Sequence, residues 1–153
     1  FIRGINEVLS TDDSALVEEY ISGREATCGV LEAFRGMSLY PLLPIEIVKP
    51  DHKDFFDYEA KYGGETKEIC PAPFPFEIKR SIQHMAMKAH ESLHLKHYSR
   101  SDFMWNESRG IFILETNSLP GLTEHSLVPK ALEAVGCKFN HFLDHLVTLA
   151  MAK

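Results

Sequence analysis

The chain repeats apolar residues every three or four positions in four separate stretches, which is the period of an amphipathic helix. The pattern predicts helices at 1–9, 75–93, 127–135 and 139–150. On the second helix the apolar residues that share one face are Ile82, Met85, Ala86, Ala89 and Leu93. A proline opens this helix, and a glycine stops the third one.

Shorter apolar runs bounded by glycine and polar residues are typical of strands. We predict strands at 15–21, 25–32, 45–48, 101–105 and 111–114. The last two flank the glycine-containing loop 106–110 and so form a hairpin. In residues 51–66 the apolar residues follow neither the helical nor the strand period, which predicts a mobile loop. Because strands and helices are mixed without strict alternation, the predicted fold class is α+β.

Length, charge and cysteine content restrict the class of protein. The 153 residues suffice for one domain with a real core, and the net charge of −6 without a basic cluster argues against nucleic-acid binding. No apolar run approaches the roughly 18 residues that a membrane helix needs. Cys28, Cys70 and Cys137 are widely spaced and odd in number, which argues against a disulfide framework and indicates a reducing cytoplasm.

The predicted hairpin carries the most informative polar residues. If it folds about the midpoint of 108–109, Asp102 lies opposite Glu115. The period of two then puts Arg100 and Asn117 on the same face. Carboxylates about 5 Å apart repel each other unless a cation lies between them, and this donor set suits Mg²⁺ held jointly with phosphates. The alternative is a solvated strand end with an incidental ion pair to Arg100.

The segment after the hairpin leads into the third helix. Residues 118–123 form a predicted tight loop, and Ser126 is the predicted N-cap of a helix with Pro129 in its first turn. A helix N-terminus presents free N–H groups and the positive end of the helix dipole, which predicts a seat for a carboxylate. An ordinary capped helix is the alternative.

A competing motif lies at the end of the second helix. The run His90-Glu91-Ser92-Leu93-His94 matches H-E-x-x-H, the zinc-peptidase signature, in which two histidines share a helical face. Glu115 is a candidate third ligand, and His97 lies nearby in the sequence. We expect a chance match, because the helical pattern fades near 93–95 and the histidines flank an apolar stripe.

Several motifs occur together in a fixed order along the chain. They are Val17-Glu18-Glu19-Tyr20-Ile21-x-Gly23-x-Glu25, Phe56-Asp57-Tyr58-Glu59-Ala60-Lys61-Tyr62, Cys70-Pro71-Ala72, Arg100-x-Asp102 and Leu114-Glu115-x-Asn117-x-x-Pro120-Gly121-x-Thr123-x-x-Ser126-Leu127-Val128-Pro129. Over about 16–150 this set closely resembles the D-alanine–D-alanine ligase family of ATP-grasp enzymes.

The resemblance implies a fold and an activity. The expected fold is the C-terminal half of an ATP-grasp enzyme, a largely antiparallel sheet with flanking helices, in a single domain 1–153 of a longer ligase. The expected reaction is ATP-dependent joining of two D-alanines through an acyl phosphate, in the cytoplasm, for peptidoglycan. The N-terminal substrate domain and the Gly-rich ATP loop are not recognised in this sequence, so we expect the chain alone not to turn over. The full-length enzyme is expected to be a homodimer.

The resemblance also implies roles for single residues. Asp102, Glu115 and Asn117 would hold two Mg²⁺ ions, or Mn²⁺, that bridge the ATP phosphates. Arg100 and the Gly121 N–H would stabilise the oxyanion of the tetrahedral intermediate.

Further roles concern the amino-acid substrate and the nucleotide. Ser126 and the Leu127 N–H would bind the carboxylate of the second substrate. The implied nucleotide contacts are Glu18 and the backbone of Glu19, Tyr20 and Ile21 for adenine, Glu25 for the ribose and Lys61 for the phosphates. Tyr62 on the closing loop goes with an amine substrate in this family, which favours D-alanine over D-lactate.

Two other functions stay open beside this one. Another ATP-grasp amino-acid ligase would use the same nucleotide chemistry, and a non-catalytic ATP-grasp-like module would use only the binding surface. The presence of all three expected metal-ligand positions argues against the non-catalytic module. Taken singly, each site residue could instead be a solvated charge or an ordinary surface side chain.

Overall fold

The computed structural model describes residues 1–49 and 66–152. Within these residues the helices are α1 (Ile2–Leu9), α2 (Phe76–Ser92), α3 (Leu127–Ala134) and α4 (Phe139–Met151). Each matches a predicted helix to within one residue at either end, so the spacing of apolar residues located all four correctly. None of the described helices is both long and apolar enough to cross a membrane.

The described strands form one antiparallel sheet. They are β1 (Arg24–Phe34), β2 (Met37–Pro41), β3 (Ile45–Val48), β4 (Lys67–Ile69), β5 (Tyr98–Asn106) and β6 (Gly110–Asn117). The order across the sheet is β4-β3-β1-β5-β6, and β2 pairs with the second half of β1. The predicted α+β class, the predicted strands at 25–32 and 45–48, and the predicted hairpin are confirmed.

Residues 15–21, predicted as a strand, lie outside this sheet, and that prediction is wrong. Leu16, Val17 and Tyr20 are 84%, 55% and 70% exposed. Strand-forming residues are favoured where they fit a half-buried, pleated surface, and within the described residues no such surface covers these three side chains. Their apolar character is therefore not a signal of sheet formation.

The sequence pattern also does not predict β2 or β4. Strands β1 and β2 are joined by Arg35 and Gly36, whose φ angles are 50° and 79°. Positive φ at both positions is the type I′ turn of two-residue hairpins, but Arg-Gly lacks the usual Asn-Gly or Asp-Gly signal. Strand β4 has three residues, too few to show alternation. The predicted loop at 51–66 lies outside the described residues except for Thr66.

Strand β1 is buried on both faces of the sheet. Ala26 and Val30 pack in one apolar cluster with residues of α2. Leu31 packs in a second cluster with residues of α3 and α4. The sheet is thus the middle of three layers, and a near-continuous apolar run in β1 follows from burial on both sides.

The buried face of α2 differs from the prediction at its C-terminal end. Ile82 and Ala86 are fully buried, as predicted, but Leu93 is 56% exposed. His90, one helical turn after Ala86, is buried instead. Leu93 is the C-cap residue, so it lies beyond the last full turn that faces the sheet.

We expect Ile82→Ala and Leu93→Ala to have very different effects on stability, although both residues lie on the predicted apolar face. Ile82→Ala leaves a cavity between α2 and the sheet and should lower the free energy of unfolding by about 2–5 kcal/mol. Leu93→Ala removes an exposed side chain and should change it by less than about 0.5 kcal/mol. Urea denaturation followed by circular dichroism measures both, and equal losses would contradict the burial described here.

Candidate active site

The candidate site lies on the face of the sheet that α3 covers. There β5 runs between β1 and β6, and Asp102 pairs with Thr27 on one side and Glu115 on the other. Arg100, two residues earlier, pairs with Asn117. Side chains two residues apart share a face, so the four predicted hairpin residues lie on one side of the sheet. The prediction that Asp102 lies opposite Glu115 is confirmed.

The hairpin reaches this pairing through a β-bulge that the sequence does not predict. Near the turn Asn106 pairs with Gly110, so the hairpin is centred half a residue earlier than expected. Asp102 pairs with Glu115, whereas the next residue, Phe103, pairs two positions further back on β6. The extra residue shifts the register by one, which brings the two carboxylates opposite each other.

Asp102 accepts hydrogen bonds from its own strand and from β1. Arg100 donates from Nε to Oδ1 at 2.9 Å and from Nη2 to Oδ2 at 2.7 Å. The Thr27 hydroxyl donates to Oδ1 at 2.6 Å. The side chains of Arg100 and Asp102 are 20% and 18% exposed, so the pair is shielded from bulk water yet open to a ligand.

The amide of Asn117 bridges the two carboxylates. Its Nδ2 lies 2.9 Å from Glu115 Oε1 and 3.4 Å from Asp102 Oδ2. A positive or donor group at this place reduces the repulsion between the carboxylates. In this structure Nδ2 rather than Oδ1 faces the carboxylates. If the amide turned by 180°, its carbonyl oxygen and the two carboxylates would form a set of hard oxygen donors, which suits Mg²⁺ or Mn²⁺. These three side chains therefore fit a divalent cation.

The loop before α3 forms the second part of the site. Ser126 is the N-cap residue, as predicted, but its hydroxyl makes no capping hydrogen bond. Ser126 Oγ instead accepts from the Thr123 N–H at 3.0 Å and lies 2.9 Å from Thr123 Oγ1. Pro129, the third helical residue, has no N–H and so removes one of the two donors that such a cap uses. A Cβ atom on Gly121 would lie 2.9 Å from Ser126 Oγ, so a larger residue there would displace the hydroxyl.

A narrow crevice between the sheet and α3, too small in this structure to hold a ligand, lies between the two parts of the site. Thr27 and Arg100 line it from the sheet, and Leu127 and Val128 line it from α3. The N–H groups of the first helical turn have no partner inside the helix. Because these N–H groups, the positive end of the helix dipole and a guanidinium meet at one crevice, the arrangement suits a carboxylate or another oxyanion.

The predicted ribose ligand Glu25 lies further along the same face of β1, two residues before Thr27. Its Oε2 is 2.7 Å from Lys49 Nζ. Across the sheet Glu25 pairs with Met104, which pairs in turn with Phe112. This row places a carboxylate beside two apolar side chains, an arrangement that suits ribose hydroxyls next to a flat ring.

The segment predicted to contact adenine is tied to the turn of the hairpin. The Glu19 carboxylate accepts hydrogen bonds from Arg109 at 2.8 and 3.2 Å, and Asn106 Nδ2 donates to the Ser22 carbonyl at 2.9 Å. The hydrogen bonds from Arg109 lower the pKa of Glu19. The Arg109 guanidinium also lies 4.9 Å from the centre of the Phe112 ring, so the segment approaches the apolar end of the row.

Other predicted nucleotide contacts are less constrained by the structure. Glu18 and Tyr20 are exposed and Ile21 is half-buried, and their contact with adenine stays a prediction. Lys61 and Tyr62 lie outside the described residues.

The zinc-peptidase alternative is wrong, because α2 ends inside the motif. His94 has a φ of 52° and follows the C-cap residue. The Leu95 N–H donates to the His90 carbonyl and the His94 N–H to the Glu91 carbonyl, which is the Schellman arrangement that terminates a helix. The imidazole of His90 is buried against Ser99, at 2.8 Å between Nδ1 and Oγ, so the two histidines do not share a helical face. In the part of the chain that the structure describes, no group of three or more His, Cys, Asp or Glu side chains could hold a metal ion.

Three hydroxyl-bearing residues support the site although the sequence analysis gave them no role, and of these only Thr123 stands in a quoted motif. Thr27 and Thr123 make the contacts given above, and Tyr98 Oη donates to the Pro120 carbonyl at 3.3 Å, next to Gly121. Thr123 lies three residues from its partner, a spacing that a local motif could have revealed. The contact of Thr27 spans 75 residues, and no local signal predicts it.

Comparison with known proteins identifies the family of this chain. A family model described as "D-ala D-ala ligase C-terminus" matches residues 2–148. The chain belongs to this family. The resemblance inferred from the motifs is thereby confirmed.

Curated relatives agree with the family model. The chain is 44% identical to the D-alanine–D-alanine ligase of Maridesulfovibrio salexigens, over 99% of this chain and 48% of that protein. It is 42% identical to the D-alanine–D-alanine ligase of Desulfotalea psychrophila, over 99% of this chain and 47% of that protein. The chain therefore spans about half the length of the curated relatives it matches.

Solved structures of this family share the fold. The structure of the D-alanine–D-alanine ligase from Bacillus anthracis complexed with ATP has a TM-score of 0.79 and 25% identity, over 98% of this chain and 45% of that chain. The VanG D-Ala:D-Ser ligase from Enterococcus faecalis has a TM-score of 0.70 and 32% identity, over 86% of this chain and 37% of that chain.

We expect the folded chain to lose stability in mild acid because His90 resists protonation when it is buried. Burial lowers the pKa of His90 in the folded protein, although Glu32, with Oε1 at 3.8 Å from Nε2, acts in the opposite direction. As pH falls below about 6.5, the ordinary pKa of histidine, the unfolded chain takes up a proton that the folded chain does not. The free energy of unfolding should therefore fall until the pH drops below the folded pKa.

Melting temperatures between pH 7.5 and 5.0 measure this effect. His90→Asn should weaken the pH dependence, while His141→Asn, at an exposed histidine, should leave it as in the wild type. An unchanged pH dependence in His90→Asn would show that this histidine does not contribute.

Proposed function

We propose that the whole protein is a D-alanine–D-alanine ligase. ATP would phosphorylate the carboxylate of one D-alanine, and the amine of a second D-alanine would attack the acyl phosphate. The products are D-alanyl-D-alanine for peptidoglycan, ADP and phosphate. The observation that carries the proposal is the row of Asp102, Glu115 and Asn117 on one sheet face, beside Arg100 and the start of α3, in a chain that belongs to this ligase family.

The cation-binding role of Asp102, Glu115 and Asn117 is supported by their geometry. Two opposed carboxylates provide oxygen ligands for Mg²⁺ or Mn²⁺, and the Asn117 amide, whose Nδ2 bridges them, would add its carbonyl oxygen on turning by 180°. Two such ions, when bound, would neutralise the charge that develops on the phosphates. The three side chains would hold the ions, and β5 and β6 would keep them in register.

Arg100 and Gly121 would bind the oxyanion of the tetrahedral intermediate. The Arg100 guanidinium is 20% exposed and uses Nε and Nη2 for Asp102, so its remaining N–H groups would bind a ligand beside it. The Gly121 N–H lies in the loop that Ser126 and Thr123 brace. Fixed donors in a shielded crevice stabilise developing negative charge better than water does, because they need no reorganisation.

Ser126 and the Leu127 N–H would bind the carboxylate of the second amino acid. The hydroxyl is not used as a helix cap and lies beside Gly121. A substrate carboxylate at the start of α3 would also meet the positive end of the helix dipole. The second substrate would then have its amine directed along the crevice toward the acyl phosphate.

The nucleotide would lie along the row that runs from the carboxylates to the hairpin turn. Glu25 would bind the ribose, and the segment of Glu18 to Ile21 would contact adenine. This direction is supported by the order of charged and apolar residues on the sheet face and by the similarity to a B. anthracis ligase structure complexed with ATP. Lys61 would contact the phosphates.

A cytoplasmic location and assembly into a homodimer are part of the same proposal, and both rest on the family resemblance.

A second amino acid other than D-alanine is the main alternative. The similarity to the VanG D-Ala:D-Ser ligase covers 86% of the chain, so the described half of the site is compatible with either substrate in its broad geometry. We favour D-alanine because of Tyr62 and the curated relatives. Assays with D-alanine, D-serine and D-lactate as the second substrate separate these ligases, and a protein that releases no phosphate with any of them would be a binding module.

We expect Asp102→Asn and Glu115→Gln to reduce dipeptide formation by the whole protein on the order of 100-fold or more, because each removes a charge that holds the cations. Phosphate release and chromatographic detection of the dipeptide measure the rate. Glu107→Gln, at an exposed carboxylate in the turn of the same hairpin, is the matched control and should retain the wild-type rate. Full activity of Asp102→Asn would rule out the proposed cation site.

We expect Ser126→Ala to raise the KM for the second D-alanine by about 10-fold, the effect of losing a hydrogen bond to a charged group. The KM for ATP should change much less, because the proposed ribose and adenine contacts come from β1 and the segment before it, not from the start of α3. Ser118→Ala, at an exposed serine of the preceding loop, serves as the control. Initial-rate kinetics with each substrate varied would detect the difference, and a change confined to ATP would place Ser126 elsewhere.

A further inference from the structure

The hydroxyl of Thr27 contacts a metal-ligand candidate from a neighbouring strand. Thr27 is 3% exposed and lies on β1 directly opposite Asp102. Its Oγ1 is 2.6 Å from Asp102 Oδ1 and 3.3 Å from the Ser101 carbonyl. A hydroxyl has one proton to donate. The Asp102 carboxylate is a stronger acceptor than the Ser101 carbonyl, and it is also closer. Thr27 is therefore committed to Asp102.

The two oxygens of Asp102 have different surroundings. Oδ1 accepts from Thr27 Oγ1 and from Arg100 Nε at 2.9 Å. Oδ2 accepts from Arg100 Nη2 at 2.7 Å and lies 3.4 Å from Asn117 Nδ2, on the side of the bridging amide. Thr27 thus contacts Oδ1 alone, while Oδ2, which Arg100 also holds, lies nearer to Asn117.

We propose that Thr27 is a positioning residue, which orients the Asp102 carboxylate so that Oδ2 is presented to the cation shared with Glu115 and Asn117. This inference rests on the proposed function. A neutral hydroxyl can hold a carboxylate without adding positive charge, whereas a guanidinium in the same place repels an incoming cation. Thr27 therefore adds a neutral contact to Oδ1 beside the bidentate pair that Arg100 makes with both oxygens of Asp102.

The rigidity of Thr27 supports this role. Threonine is β-branched and has restricted side-chain rotamers, and β1 is hydrogen-bonded to neighbours on both sides at this position. Outer hydrogen bonds of this kind orient metal ligands, and their loss commonly weakens metal binding by about 10–100-fold. The orientation of Asp102 is thus set jointly by Arg100 on its own strand and by Thr27, which lies 75 residues away in sequence.

Binding of Mn²⁺ alone to this chain tests the proposal without measuring activity. Paramagnetic broadening of the Asn117 side-chain amide in the NMR spectrum reports binding at this site, and a titration gives the dissociation constant. The variants are Thr27→Val, which keeps the shape but removes the hydroxyl, Thr27→Ser, which keeps the hydroxyl, and Asp102→Asn. The matched control is Thr116→Val, which removes a hydroxyl that lies 2.9 Å from Ser101 Oγ on the opposite face of the hairpin.

We expect Thr27→Val to raise the dissociation constant for Mn²⁺ by about 10-fold or more. Thr27→Ser and Thr116→Val should bind Mn²⁺ like the wild type, and Asp102→Asn should not bind it measurably. Melting temperatures and backbone amide spectra establish that each variant is folded. If Thr27→Val does not fold, Thr27→Ala, which also lacks the hydroxyl, replaces it.

Other outcomes separate the two proposals. Wild-type affinity in Thr27→Val, with binding lost in Asp102→Asn, overturns the role of Thr27 and leaves the cation site in place. Equal weakening in Thr27→Ser or in Thr116→Val also overturns it, because the effect would then come from packing or from the sheet. The same broadening in the wild type and Asp102→Asn overturns both the cation site and the role of Thr27.

Discussion

Strand β5 is hydrogen-bonded to β1 on one side and to β6 on the other, and its register with both strands determines which polar side chains meet. Thr27, Asp102 and Glu115 form one row across the three strands, and Arg100 and Asn117 form part of the next. A slip of one residue in either pairing would turn Asp102 or its partners to the opposite face. The chemistry of the site therefore depends on backbone pairing before it depends on any side-chain contact.

The two faces of the sheet have different roles: one packs mainly for stability, and the other also carries the candidate site. On the face covered by α2, the side chains between the strands and the helix are mostly apolar and buried, with Phe103 at the centre. On the other face, apolar residues of α3, including Val128 in its first turn, pack against the sheet, and Arg100 lies beside them. Polar groups can stay partly open there because the core on the far side already holds the strands together.

Local periodicity predicts the helices of this fold well, because each apolar stripe lies within one continuous segment. It also predicts the pairing of Asp102 with Glu115, although it misplaces the hairpin centre, since a bulge compensates for the error. The prediction of a strand at 15–21 is wrong, because these residues have a strand-like composition but do not pair with the sheet. At His94 the fading of the apolar period is a better guide than the H-E-x-x-H match, because the helix ends inside that motif.

The contacts that sequence reasoning misses are those between distant segments. The pairing of β1 with β5 joins residues about 75 positions apart, and nothing in the spacing of Thr27 indicates its partner. Knowledge of a family supplies roles for residues that bind ligands directly. It does not show which neighbouring side chains orient them, which requires the three-dimensional arrangement.

The proline in the first turn of α3 restricts which substitutions this part of the chain can accept without moving the Ser126 hydroxyl. Helix-capping serines usually turn inward to the backbone, and Pro129 removes one of the donors that would draw Ser126 there. The hydroxyl is left available to the loop of Thr123 and Gly121. Exchange of this proline for alanine would look harmless by helix propensity, yet it would offer the serine a backbone partner and draw its hydroxyl away from Thr123 and Gly121.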